Sequence, residues 1–276
     1  MRVTPSGTTI SFRLTQPLTL DLAVNDQSRQ LSVSCDVPQF YYKDDKYDNC
    51  HLTVFSPLGT LLYDVGATRS MDDGQSMNLL VTGSAYNNQL TTSLLWDNHA
   101  DNPLSGKVTA RTNFSTTFDG RQQATINVVT SQMVIHGATW DVRPCTMVYS
   151  PGRLDICGFA LEHDSQYLQV KGVAPASSRD SLAVRMRDVD VEYVLDLVGF
   201  HSVDFGGLAT GGGTLRGVFG NLEADGRLTV SRFQFEHGRM GTLDAAVAWN
   251  TDQEQIDIHA TADDGPDART YVDGYV

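Results

Sequence analysis

Apolar and polar residues alternate along most of this 276-residue chain. Leu18, Leu20, Leu22 and Val24 alternate with Thr19, Asp21 and Ala23. Leu31, Val33, Cys35 and Val37 alternate with Ser32, Ser34 and Asp36. The period recurs in Met77-Leu79-Val81, Ala124-Ile126-Val128, Leu182-Val184-Met186 and Ala245-Val247-Trp249. Each run predicts a strand with one apolar and one polar face. Asp73-Gly74, Asp119-Gly120, Asp225-Gly226 and Asp264-Gly265 read as tight antiparallel hairpin turns. With strands roughly every 10 to 15 residues, on the order of 20 are expected.

One stretch breaks the period. Between Asp190 and Gly199, Val191, Val194, Leu195 and Val198 fall on one helix face. Asp190 suits the N-cap and Gly199 the C-terminal end. The pattern predicts one short amphipathic helix lying against the open side or end of the sheet. The chain also repeats itself: "GRLDICGFALEH" at 152–163 aligns with "GRLTVSRFQFEH" at 226–237, and "LLWDN" at 94–98 with "VAWNT" at 247–251. Such repeats indicate stacked hairpin units.

Strands with one apolar face exclude a doubly covered parallel sheet. An antiparallel sheet of this many strands cannot stay flat. It closes on its own side chains as a sandwich or barrel, or it rolls along its length and leaves an apolar trough. Periodicity does not choose between the two.

Composition narrows the function classes. Hydrophobic residues make up 41% and charged residues 19%, which is a folding composition. The net charge of −13 repels nucleic-acid phosphates and anionic headgroups, so no nucleic acid is expected as a partner. The first residues carry no apolar targeting core, and no apolar run approaches the roughly 20 residues that span a bilayer. The chain begins and ends in mid-pattern, which reads as a piece of a longer protein.

No chemistry-bearing motif emerges, and the chain reads as non-enzymatic, without cofactor or metal. Cys35, Cys50, Cys145 and Cys157 include no C-x-x-C. As two local pairs they suit hairpin disulfides; the preferred reading is small buried hydrophobes. "GGLATGGGTLRG" at 206–217 has neither G-x-G-x-x-G spacing nor a GK[ST] ending, and reads as closely packed or bent strand. Glu162-His163 and Glu236-His237 occupy equivalent places in the repeat and read as turn residues rather than metal ligands. "KDDKYDN" at 43–49 puts Lys46 at a ligand position of a calcium loop, and "DDGPD" at 263–267 reads as a solvated turn. Phe40, Tyr41, Tyr42 and Tyr47 suit either a sugar platform or, preferably, cross-strand aromatic packing.

The stretch "ATWDVRPCTMVYSPGRLDICGFALEHDSQYLQVKG" (138–172) resembles TamB-like proteins, particularly the long versions of Bacteroidetes-type envelopes. "DSLAVRMRDVDVEYVLDLVG", "FGGLATGGGTLRGVFG" and "HGRMGTLDAAVAWN" continue the same order of elements. The match covers roughly 130–276; residues 1–130 share only the strand style. The resemblance implies an all-β fold: a long, mostly antiparallel sheet rolled into a β-taco or groove with one short helix. Residues 1–130 would form a β-rich segment of that sheet, and residues 131–276 the TamB-like segment. It implies a periplasmic location, a parent anchored in the inner membrane, and a BamA-like outer-membrane barrel as partner. Phospholipid acyl chains would move along the apolar groove.

The physics suits a conduit. Exposing an acyl chain to water costs roughly 0.8 kcal/mol per CH₂, so a two-chain lipid faces a barrier above roughly 20 kcal/mol. A continuous apolar trough removes most of it. Strand parity places Leu182, Val184, Leu228, Val230, Val247, Trp249, Ile256 and Ile258 on the trough wall. Two rival readings stand beside this one. The first is an assembly module that pairs its sheet edge with nascent outer-membrane strands; the second is a self-contained β-sandwich adhesin or sugar-binding module.

Overall fold

Strands that alternate apolar and polar side chains must find backbone partners on neighbouring strands, and here most find them next to themselves in sequence. The computed structural model describes residues 2–3, 10–25, 27, 30–42, 45–57, 59–70, 75–100, 103–175, 180–193, 204–251, 253, 255–266 and 268–275, with backbone alone for 2, 3 and 10–12. The fold is all-β and the strand pairs are antiparallel.

In chain order the strands are β1 (Arg2–Val3), β2 (Ile10–Leu14), β3 (Thr19–Asn25), β4 (Gln30–Tyr42), β5 (Asp45–Phe55), β6 (Leu61–Ser70), β7 (Ser76–Tyr86), β8 (Gln89–Asp97), β9 (Leu104–Thr116), β10 (Gln122–Val128) and β11 (Ser131–Ile135). They continue with β12 (Ala138–Val142), β13 (Cys145–Ser150), β14 (Arg153–His163), β15 (Gln166–Pro175), β16 (Leu182–Asp190), β17 (Phe205–Arg216), β18 (Glu223–Phe235), β19 (Gly238–Asn250), β20 (Gln255–Asp263) and β21 (Arg269–Tyr275). The chain divides into two compact units, 1–114 with 128–139, and 115–127 with 140–276. Residue 130 thus lies inside a stretch of the first unit.

The first unit is a meander from β3 to β9, with β2 beside the end of β4 and β11 beside the start of β9. One row across it reads Leu20, Cys35, Leu52, Val65, Val81, Leu94, Val108, each opposite the next. Opposed residues share a face, so this row is one apolar surface. Val65 and Leu94 are 40% and 41% exposed, so the surface is not sealed. Phe40 stacks on Tyr47 across β4 and β5, centroids 4.9 Å apart, which makes that aromatic group a cross-strand pair.

In the second unit β10 pairs with β13, β12 and β13 both pair with β14, and β14 to β21 form a meander. This sheet is rolled. Four strand spacings separate β13 from β17, about 19 Å in a flat sheet. Yet the rings of Tyr149 on β13 and Phe219, just past β17, lie 6.1 Å apart. On the same sheet Ile156, Ala174 and Leu182 form a buried cluster, with Met147 of β13 and Leu215 of β17 packed against it.

Several expectations are met and others are corrected. The Asp119-Gly120 and Asp264-Gly265 turns form, with both glycines at positive φ. Asp73-Gly74 lies outside the described residues. Asp225-Gly226 is not a turn: both residues sit inside β18, with Gly226 between Gly213 and Val247. Residues 191–193 are helical, and Asp190 Oδ1 accepts the Glu192 N–H at 3.1 Å, as an N-cap does. Val191 packs against the apolar cluster of β17, β18 and β20. Val194, Leu195, Val198 and Gly199 lie outside the described residues.

The internal repeat is structural. β14 bulges between Ile156 and Phe159, and β18 between the equivalent Val230 and Phe233. Gly158 and its counterpart Arg232 both take positive φ, 113° and 54°. The copies differ beyond the bulge, which corrects the turn reading for one of them: Glu162-His163 still lie in β14, whereas Glu236-His237 form the β18–β19 turn.

Candidate functional site: the apolar face of the second unit

Register decides which side chains share a surface. Val184 stands opposite Gly213, Gly213 opposite Gly226, Gly226 opposite Val247, and Val247 opposite Ile258. One row on, Met186, Gly211, Leu228, Ala245, Ala260 and Val272 follow one another. On the other side, Leu182 meets Leu215 and Leu215 meets Ala224, while Trp249 meets Ile256. All eight residues singled out by parity therefore lie on one face.

Burial along that face is graded. Val230 is 2% exposed and packs with Ala209, Phe233 and Ala262; Leu228, Met186 and Leu243 are partly buried against them. Leu182 is buried in the second cluster. Val184, Val247, Trp249 and Ile258 are half-buried, and Ile256 is 42% exposed. The face is packed at the β17–β18 bulge and opens toward Trp249 and Ile256.

The glycine stretch shapes this wall. A Cβ on Gly213 would meet the Asp225 carbonyl oxygen and lie 3.0 Å from Gly226 Cα; one on Gly211 would meet the Arg227 carbonyl oxygen. Neighbouring backbones approach too closely for any side chain, as expected of a bent strand. Gly213 and Gly226 also leave a shallow lane between Val184 and Val247.

Alternation missed Phe233, Leu215 and the buried Ala209 and Ala262. Val230 and Phe233 have opposite parity, and only the extra residue of the bulge brings both to one face. The repeat held that signal, because Gly158 aligns with Arg232. The glycines of β17 hid Leu215 by diluting its apolar pattern.

The opposite face is polar. Thr214 and Arg216 bond Asp225, Thr229 bonds Asp244 at 2.6 Å, His259 pairs with Asp273 at 2.6 Å, and Arg269 pairs with Asp263 at 2.8 Å. Hydrogen bonds from Gln255 and Asn250 hold the Asp257 carboxyl below the usual range; the Arg269 side chain and the Gly265 N–H do the same for Asp263. These carboxylates stay ionised at neutral pH. A shallow hollow of about 510 Å³ lies on this face, between Thr210, Arg227, Thr229, Asp244 and His259 over the small Ala246.

Cys35 lies on the apolar row of the first unit, whereas Cys157 is exposed at the β14 bulge. Burial pushes the Cys145 thiol up, with the neighbouring Cys157 adding to the effect. Asp204, Glu236 and His237 come within 4.8 Å of one another, all exposed. Glu236 Oε1 accepts the Asp204 N–H at 3.4 Å, and Glu236 N–H donates to the Asp204 carbonyl at 2.9 Å. Asp204 and Glu236 therefore tie a turn, with His237 beside them.

Among the described residues no helix is long and apolar enough to cross a membrane. No family model, curated protein or solved structure matches the chain.

Proposed function

We propose that this chain is a segment of a TamB-like, periplasm-spanning protein whose apolar β face conducts phospholipid acyl chains between the inner and outer membranes. The observation that carries it is the half-open apolar face: Val184, Val247, Trp249, Ile256 and Ile258 share one surface across successive strands without being fully buried. A closed sandwich core would bury all of them. An acyl chain laid along such rows leaves water without the cost of crossing it, and no chemical step is required. The net charge of −13 disfavours anionic headgroups, so contact is through the chains and specificity is low. The periplasmic location, the inner-membrane anchor and the BamA-like barrel partner belong to the same proposal and rest on the sequence resemblance.

Lipid extraction with native mass spectrometry of the purified chain tests it. Co-purified phospholipid is expected, and a photoreactive residue at Ile256 should crosslink to it. Protein free of lipid, with no crosslink in the presence of phospholipid vesicles, would reject the conduit. A second reading draws support from β21, whose seven residues are all exposed at the sheet edge. An outer-membrane assembly module would add nascent strands there by β-augmentation. Crosslinks from β21 to barrel strands, without lipid at Ile256, would favour that reading.

A further inference from the structure

All seven residues of β3 are exposed, with Leu20 60%, Leu22 66% and Val24 69% open to solvent. Its strand pairing is with β4, where Leu20, Leu22 and Val24 stand opposite Cys35, Val33 and Leu31. Among the described residues, the apolar face of the first unit thus continues to a bare edge. Nothing inside Thr19–Asn25 blunts it: there is no proline, no lysine and no bulge, and the one charge is Asp21. An edge of this kind is a template for another strand.

We propose that β3 takes β3 of a second copy of this chain, antiparallel about a two-fold axis through Leu22. That pairing sets Leu22 opposite the partner's Leu22 and Leu20 opposite the partner's Val24, so leucine and valine meet leucine and valine on one face. On the other face Asp21 meets the partner's Ala23, and Thr19 meets the partner's Asn25. In a chain of net charge −13, this edge joins two copies without setting acid against acid. The contact is isologous, so one strand supplies both sides. β21 is a poorer candidate, because its apolar side offers only Val272 between Thr270 and Gly274. Seven paired residues span about 24 Å. They bury well under the roughly 800 Å² per partner of a standard interface, so the dimer is weak and concentration-dependent.

Sedimentation velocity of the 276-residue chain, in a series reaching high micromolar concentration, reads the dimer. Leu22→Lys and Leu22→Glu each place like charges across the axis at a position already exposed, and circular dichroism checks that both fold. Each variant alone should stay monomeric. An equimolar mixture should recover the dimer, because the two introduced charges then face each other. A wild-type chain monomeric throughout overturns the proposal. So does a dimer that survives either substitution, or a mixture that fails to restore association.

Discussion

Val230 and Val247 discriminate a packed core from an open wall, because they share a face and differ in enclosure. Val230 is 2% exposed among Ala209, Phe233 and Ala262. Val247 is half-buried between Gly226 and Ile258. Arginine at Val230 forfeits about 1.5–3 kcal/mol of apolar burial. It also buries a charge without a partner, adding about 3 kcal/mol or more. The sum, about 5 kcal/mol, is a large part of the stability of an ordinary domain, about 5–15 kcal/mol. At Val247 the long side chain can run along the open wall and keep its guanidinium in water, so the loss is about 1 kcal/mol. With a urea slope of about 2 kcal/mol per molar, the midpoint should fall by more than about 2 M for Val230→Arg and by about 0.5 M for Val247→Arg. Urea titration followed by circular dichroism measures both. Equal losses at the two positions would refute the open wall and make the whole face a closed core.

Val184→Arg should behave like Val247→Arg, and both folded variants should lose co-purified phospholipid; unchanged lipid content would remove these positions from the path. Gly213→Ala should destabilise the second unit by about 2 kcal/mol or more, because its Cβ meets backbone on β18 that cannot swing away; thermal melts of this variant report it. Arg232→Gly should raise stability by about 0.5–1 kcal/mol by relieving a left-handed arginine, whereas a lowered melting temperature would show that its side chain matters more than its φ. Hydrogen bonds from Thr117 and then Arg121 lower the Asp119 carboxyl to about 2. The stabilisation they give its turn is therefore complete above the unfolded value near 3.9 and lost as pH falls through about 2. Carboxyl NMR should find that low midpoint in the wild type and a higher one in Thr117→Val; no change would acquit Thr117.

Alternation by itself determined the strand content and the shared face of Leu182, Val184, Leu228, Val230, Val247, Trp249, Ile256 and Ile258. Side-chain direction in a strand is a local property with period two, so it is written in the sequence wherever the strand is regular. The cap at Asp190 is local in the same way. Asp225-Gly226 shows the limit: the same dipeptide serves a turn or a strand interior, and its place in β18 follows from pairing with β17 and β19, which no local pattern encodes. The bulge at Arg232 reversed parity and hid Phe233 for a related reason, since a bulge is defined against a partner strand. Whether the apolar face is packed or open was beyond alternation altogether. Val230 and Val247 have the same pattern around them, and the curl of the second sheet buries one among its neighbours and leaves the other half-exposed. That curl depends on contacts between residues far apart in the chain, such as Tyr149 with Phe219, so only the tertiary structure decides it.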